Sequence, residues 1–489
     1  MKIDIRKLIF LSSFFMGLLT VSAQDFYRDL FEKYDSYKEE SITQRRFSYE
    51  KISPLIEALK EDSFFEIHQV GTSIKGTPLH LISFGEGEVD VFLWSQMHGD
   101  ESTATMAIFD IVNFFKSKDF RKEKKVMLSN LRIHFLPMLN PDGAEVFTRR
   151  NALGIDINRD ALRLQSPEGQ TLKKVRDSLD ADFGFNLHDQ STYYNAVQTP
   201  KPATISYLAP AFNYEKDVNE VRGNAMKLIG YMNGILQKYA PGQVGRYNDD
   251  FEPRAFGDNI QKWGTSVVLI ESGGYPDDPE KQFIRKLNFV TILSAVHAIA
   301  TKEFESTPKE EYFKIPENDR KLFDLKLVGV QYQLLGETYT VDLGINNYEV
   351  ATNTESGYYT RGSVVDMGDL STYFGYKEFD ASTFEVVPPK IYPETLKSIG
   401  VLHEKGVNTF LKDGYAFVKV ENIPQDKDAM NIPLHVLTKE RNTDVNLYVG
   451  ANPTFFLKKD GALKYLVING YLVNLENPEK DFENALIYK

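Results

Sequence analysis

The stretch Val89-Asp90-Val91-Phe92-Leu93-Trp94-Ser95-Gln96-Met97-His98-Gly99-Asp100-Glu101 runs a strand-like apolar segment straight into a His-x-x-Glu pair. Val89 to Trp94 is short and rich in β-branched and aromatic residues, as expected of a strand covered on both faces. From Glu101 to Phe115 the apolar residues Ala104, Ile108, Ile111, Val112 and Phe115 fall at helical spacing. A strand that stops at a turn and feeds a helix presents side chains at the carboxyl edge of its sheet, where α/β folds bind their ligands.

The same grammar recurs on both sides. Phe64–Val70 and Thr77–Phe84 read as earlier strands, and Leu131–Leu136 as another, stopped by Pro137 and the turn Asn140-Pro141-Asp142-Gly143. Phe183–Leu187 is an apolar strand closed by His188, and Ser266–Ile270 one closed by Glu271. Helical patterns fall at Glu168–Leu179, Tyr214–Tyr239 and Gln282–Thr301, so strands alternate with helices. The fold class is therefore α/β, with a mixed, mainly parallel sheet sandwiched by helices.

Three distant strands thus end in a ligand-type or base-type residue. A lone His-x-x-Glu arises often by chance, and a lone His188 reads as a histidine satisfied by local backbone. Their convergence on one sheet edge changes that. Two His and one Glu with an open position suit zinc, which brings the pKa of bound water to about 7. A carboxylate beside that water, here Glu271, can take its proton and pass it to a leaving amine. The oxyanion then needs positive charge, which a nearby Arg can supply.

These residues resemble the zinc carboxypeptidase family of the carboxypeptidase A type. Its ordered motifs stand here as His98 and Glu101, Asn140 to Gly143, Arg149, Gly154-Ile155-Asp156-Ile157-Asn158-Arg159, His188 and Glu271, spanning roughly Ile52 to Thr301. The resemblance implies an eight-stranded sheet and one zinc per chain, held by His98, Glu101 and His188. By the same resemblance Glu271 is the general base, and Arg149 rather than the adjacent Arg150 polarises the scissile carbonyl. Asn158 and Arg159 would bind the terminal carboxylate of a peptide substrate, Asp156 would orient His98, and Tyr247 would hydrogen-bond the substrate. The pattern departs from the family at Asp160, where an extra negative charge is expected to weaken carboxylate recognition or favour a basic group. Asp189 and Gln190 stand where small or hydroxyl residues are expected. Arg254, Phe256 and Asp258 occupy the loop that sets side-chain preference, without choosing one.

Composition bounds the partners. The 489 residues carry a formal charge of −12 and no long basic run, which argues against nucleic acid. There is no cysteine, so disulfides, thiolate ligands and a Cys nucleophile are excluded. Lys2, Arg6 and Lys7 precede an apolar run, Leu8–Val21, and the small-residue site Val21-Ser22-Ala23, the pattern of an export signal over 1–23. No other stretch reads as spanning length, so no stable membrane insertion is expected after signal removal, and residence is periplasmic or extracellular.

A catalytic domain is expected over 24–305. Near Ser306-Thr307-Pro308-Lys309-Glu310-Glu311 the helical pattern gives way to a polar linker. Beyond it, 312–489 reads as a smaller β-rich domain with a hairpin at Lys459-Asp460-Gly461 and one helical patch, Pro393–Lys405. The expected activity is removal of C-terminal residues from peptides. The competing readings are a zinc amidohydrolase acting on cell-wall peptides or N-acyl amino acids, and an inactive peptide- or glycan-binding protein.

Overall fold

Alternation along each central strand sends successive side chains to opposite faces of the sheet, and this governs the packing. A computed structural model describes residues 26–352, 357–423, 427–476 and 485–489; the segment expected to be an export signal lies outside the described residues. In chain order the first ten strands are β1 (Glu66–Thr72), β2 (Pro78–Phe84), β3 (Val89–Ser95), β4 (Leu131–Leu136), β5 (Phe183–Asp189), β6 (Asn195–Ala196), β7 (Ile205–Leu208), β8 (Val244–Arg246), β9 (Ser266–Ser272) and β10 (Asn318–Asp319). Eight of them form one mixed sheet in the order β1-β2-β4-β3-β5-β9-β7-β8. Its centre, β4-β3-β5-β9, is parallel, while β1/β2, β2/β4 and β7/β9 are antiparallel.

Val91, Leu93, Phe185, Leu187, Val268 and Ile270 enter a core built with the helices Thr103–Lys116, Glu220–Leu236 and Gln282–Thr301. Phe92, Trp94, Leu136 and Val267 enter a second core with Leu172 and Val175 of the helix Pro167–Leu179 and with Phe256 and Ile260. Burying each such side chain contributes about 1.5–3 kcal/mol, so the register is tightly specified. A slip of one residue would turn His188 and Glu271 into the first core and Leu187 and Ile270 out of it.

Two sequence expectations need correction here. Gln282–Thr301, at 20 residues, is long and apolar enough to cross a membrane, contrary to the reading that no further stretch reaches that length; it is a core helix of this unit, its residues mostly buried. The polar stretch from Ser306 is not an open linker. It forms the turns Glu303–Ser306 and Glu310–Phe313, and Tyr312 and Ile315 are buried in the first core. Contacts divide the chain at Asp319/Arg320: one compact unit comprises residues up to Val197 and Lys201–Asp319, the other Arg320–Lys489 with Gln198–Pro200.

The second unit contains an eight-stranded sheet and a five-stranded one. The long strands Leu322–Leu334, Glu337–Ala351 and Tyr358–Gly368 pair antiparallel in sequence order. The hairpin between Phe455–Lys459 and Ala462–Ile468 turns on Asp460 and Gly461, both at positive φ (52° and 79°), as a two-residue turn of this type requires. The patch 393–405 is only half helical. Residues 393–398 belong to the strand Lys390–Ser398, which pairs parallel with Tyr415–Asn422, and the helix is Gly400–Lys405.

Candidate metal centre

Three segments of the first unit deliver the chemistry. β3 ends at Ser95, and the chain turns through Gln96, whose φ is 51°, to bring His98 and Glu101 in ahead of the helix Thr103–Lys116. On β5 and β9, His188 and Glu271 are direct cross-strand partners, so their side chains leave the same face side by side. His98, Glu101 and His188 are all buried, and their ligand-type atoms lie within 4.8 Å of one another.

The Glu101 carboxylate is bracketed by imidazoles. His98 Nδ1 lies 2.8 Å from Oε1, and His188 Nδ1 lies 2.7 Å from Oε2. Burial alone would raise the Glu101 carboxyl, but the two imidazoles outweigh it and hold the group far below the usual carboxylate range. Two imidazole nitrogens and one carboxylate are the donor set of a His₂Glu zinc site. The far side of His98 is tied down as such a ligand requires: Nε2 meets Asp156 Oδ1 at 3.1 Å. Arg149 Nη1, always a donor, lies 3.0 Å from His98 Nδ1. The Asp156 carboxylate can only accept, so the proton sits on Nε2 and Nδ1 is the nitrogen turned to the cluster, where Arg149 and Glu101 both meet it. Chemically and sterically, these residues fit a divalent ion.

Asp156 also holds Arg149, whose Nε and Nη2 approach Oδ2 at 3.0 and 2.9 Å. Arg149 thus stands at the triad, with Nη1 3.3 Å from Glu101 Oε1. Arg150 instead donates to Gly154 O and is exposed. Glu271 is part-buried, and its Oε2 is shielded from solvent without a hydrogen-bond partner among the described residues. Burial, and next the charge of Glu101, push its carboxyl well above the usual range, which readies it to hold a proton. Tyr247, just past β8, donates its N–H to Tyr207 O, and its hydroxyl lies 3.5 Å from that of Tyr194. Burial, the Tyr194 hydroxyl and then the Glu271 charge raise the phenol, so Tyr247 lies within electrostatic reach of the centre.

Asn158 and Arg159 occupy the short turn Ile157–Arg159, capped by Asp156, which accepts from Asn158 N–H. Asn158 Oδ1 accepts from Phe256 N–H at 2.9 Å, which leaves its amide NH₂ as the group that can donate to a ligand. The Arg159 guanidinium meets a carboxylate that sequence reading missed. Its Nε lies 3.3 Å from Glu252 Oε2, and Arg254 grips the same Glu252 through Nε and Nη2, each at 3.0 Å. Asp160, by contrast, is spent elsewhere. It accepts from Gln165 N–H, Ser166 N–H and Ser166 Oγ, closing the turn into the helix Pro167–Leu179, so the carboxylate that meets the Arg159 guanidinium is Glu252 and not Asp160. No local pattern marks Glu252, since it lies 93 positions from Arg159 in a polar loop.

The model of the zinc carboxypeptidase family matches residues 53–199, a span that holds His98, Glu101, Arg149, Asn158, Arg159 and His188 and stops short of Tyr247 and Glu271. Carboxypeptidase B of Astacus astacus is 30% identical over 255 residues, covering 51% of this chain and 72% of that protein. Carboxypeptidase SOL1 of Arabidopsis thaliana is 26% identical over 179 residues, covering 30% of this chain and 36% of that protein. Among solved structures, a metallo-carboxypeptidase from Burkholderia cenocepacia aligns with 53% of this chain and 70% of its own, at 16% identity and a TM-score of 0.44. The chain belongs to the zinc carboxypeptidase family. It spans between a quarter and a half of the length of the first curated relatives it matches.

Proposed function

We propose that the chain is a zinc-dependent metallocarboxypeptidase that removes C-terminal residues from peptides, and that it works outside the cytoplasm. The observation that carries the reading is the meeting of His98, Glu101 and His188 with Glu271 in register beside His188. The export assignment rests on the charged, apolar and small-residue order of positions 2–23.

His98, Glu101 and His188 would hold one zinc, which when bound supplies Lewis acidity to water and to the scissile carbonyl. Glu271 takes the proton of the attacking water and hands it to the departing amine, a role that its place in register with His188 at the edge of the cluster supports. Arg149, held by Asp156, turns its guanidinium to the oxygen on which negative charge develops. Asn158 and Arg159 receive the substrate's terminal carboxylate, for which a guanidinium fork is shaped, and the Tyr247 hydroxyl closes the site over the peptide. Removing the oxyanion donor, Arg149→Ala, should lower kcat by roughly 10²–10³ with a smaller effect on KM, read from steady-state kinetics. A kcat within a fewfold of wild type would remove Arg149 from the reaction.

Glu252 modifies this picture. In the free protein it pairs with Arg159 Nε, so it competes with a substrate carboxylate for the guanidinium. Arg159 and Glu252 are 37% and 30% exposed, so exchange is cheap. Glu252→Gln should lower KM for free-C-terminus peptides by about two- to fivefold, the scale of an exposed ion pair, with kcat unchanged. A raised KM would instead mean that Glu252 aligns Arg159 for its ligand.

The deciding experiment is a metal assay followed by incubation with a mixed peptide pool read by mass spectrometry. Stoichiometric zinc and stepwise loss of C-terminal residues are expected. Release of wall fragments without such trimming, or peptide binding without turnover in excess zinc, would overturn the assignment.

A further inference from the structure

Asp189 and Lys281 take no part in the reaction as drawn, yet they form a buried ion pair against it, each side chain only 7% exposed. Asp189 follows His188 at the end of β5, and its N–H donates to Glu101 Oε2 at 3.2 Å. Its Oδ2 accepts from Thr103 Oγ1 at 2.6 Å, in the first turn of the helix that follows Glu101, and from Lys281 Nζ at 3.0 Å. Lys281 Nζ donates a second bond, at 2.9 Å, to the carbonyl of Ser272, the residue after Glu271. One ion pair therefore joins the segment of His188, the segment of Glu101 and the segment of Glu271.

Local structure gives no reason for a lysine at 281. The residue is the N-cap of the helix Gln282–Thr301 with φ of 51°, a conformation costly for a residue with a Cβ. A cation is also disfavoured at a helix N-terminus. Its burial is accounted for by Asp189, 92 positions away, and by the carbonyl of Ser272.

We propose that the Asp189–Lys281 pair is a positioning clamp that fixes the separation of the ligand Glu101 from the base Glu271 and keeps both matched to His188. The inference rests on the metal-centre reading given above. Groups that orient metal ligands from behind typically affect metal affinity by about 10–100-fold when removed. The clamp reaches Glu101 through the Asp189 N–H and through Thr103, and reaches Glu271 through Ser272.

The test uses the full chain as wild type, Lys281→Met and the double variant Asp189→Asn/Lys281→Met. Each is stripped of metal and titrated with zinc against a chromophoric chelator, with folding followed by circular dichroism. Lys281→Met leaves a buried carboxylate unpaired and is less stable; the double variant removes both charges and carries the test if the single one does not fold. The expected result is zinc affinity about 10–100-fold weaker in the folded variants, with kcat reduced and KM unchanged. A purely structural pair would lower stability alone, so wild-type zinc affinity in the folded double variant would overturn the clamp. A wild-type chain that takes up no zinc would overturn the metal-centre reading, and the clamp with it.

Discussion

Glu271→Gln is expected to cut kcat by about 10²–10⁴, the usual contribution of a positioned general acid–base group, while zinc still binds at wild-type affinity. The amide keeps the shape of the side chain and removes only its capacity to carry a proton. Glu271 is not among the three residues whose ligand atoms cluster, so metal retention separates loss of the base from loss of the centre. Burial and the charge of Glu101 disfavour the ionised carboxylate of Glu271; the neutral amide avoids that cost, so the variant should be at least as stable as wild type. Turnover within tenfold of wild type, measured on a peptide with a free C-terminus, would show that another group takes the proton. Loss of zinc together with activity would place Glu271 in the metal's own coordination instead.

The largest effect on stability is expected at Arg285, far from the chemistry. Arg285 and Asp110 are fully buried, and the guanidinium approaches both carboxylate oxygens. Arg285 also donates to Ile42 O at 2.6 Å and Glu39 O at 3.1 Å, while Asp110 accepts from Tyr34 and from Glu39 N–H. The pair thus pins the N-terminal segment across the helices Thr103–Lys116 and Gln282–Thr301. Arg285→Met should cost about 3–5 kcal/mol in urea unfolding, because it strands a buried carboxylate. Asp110→Asn/Arg285→Met should recover much of that loss.

A pH series sharpens the same prediction. Burial already raises the Asp110 carboxyl even with Arg285 in place, and losing the guanidinium raises it further. A carboxyl whose folded pKa lies above its unfolded value gives stability that is full below the unfolded pKa and lost as pH rises through the folded one. The variant's deficit should therefore shrink in acid and grow toward neutrality. A pH-independent deficit would mean that lost packing, not the stranded charge, sets the cost.

The amino-acid sequence by itself determined the α/β class and marked as candidates the residues that the structure gathers, His98, Glu101 and His188 with Glu271 beside His188. Both are written in short-range pattern: apolar runs such as Val89–Trp94 and Phe183–Leu187 specify buried strands, and a polar His or Glu at the end of such a run is conspicuous. Tertiary structure decided what depends on partners distant along the chain. The register that sets His188 beside Glu271 follows from packing against both cores, and the ion pairs Arg159–Glu252 and Asp189–Lys281 join positions about 90 residues apart. The same reason explains the misread linker and helix. Tyr312 and Ile315 are isolated apolar residues in a polar stretch, and only the core that receives them makes 306–319 part of the first unit. Residues 393–398 were drawn from helix to strand by a neighbouring strand, Tyr415–Asn422, that local periodicity does not record. An ion pair or a strand pairing leaves no periodic trace because its free energy arises only when both partners are brought together.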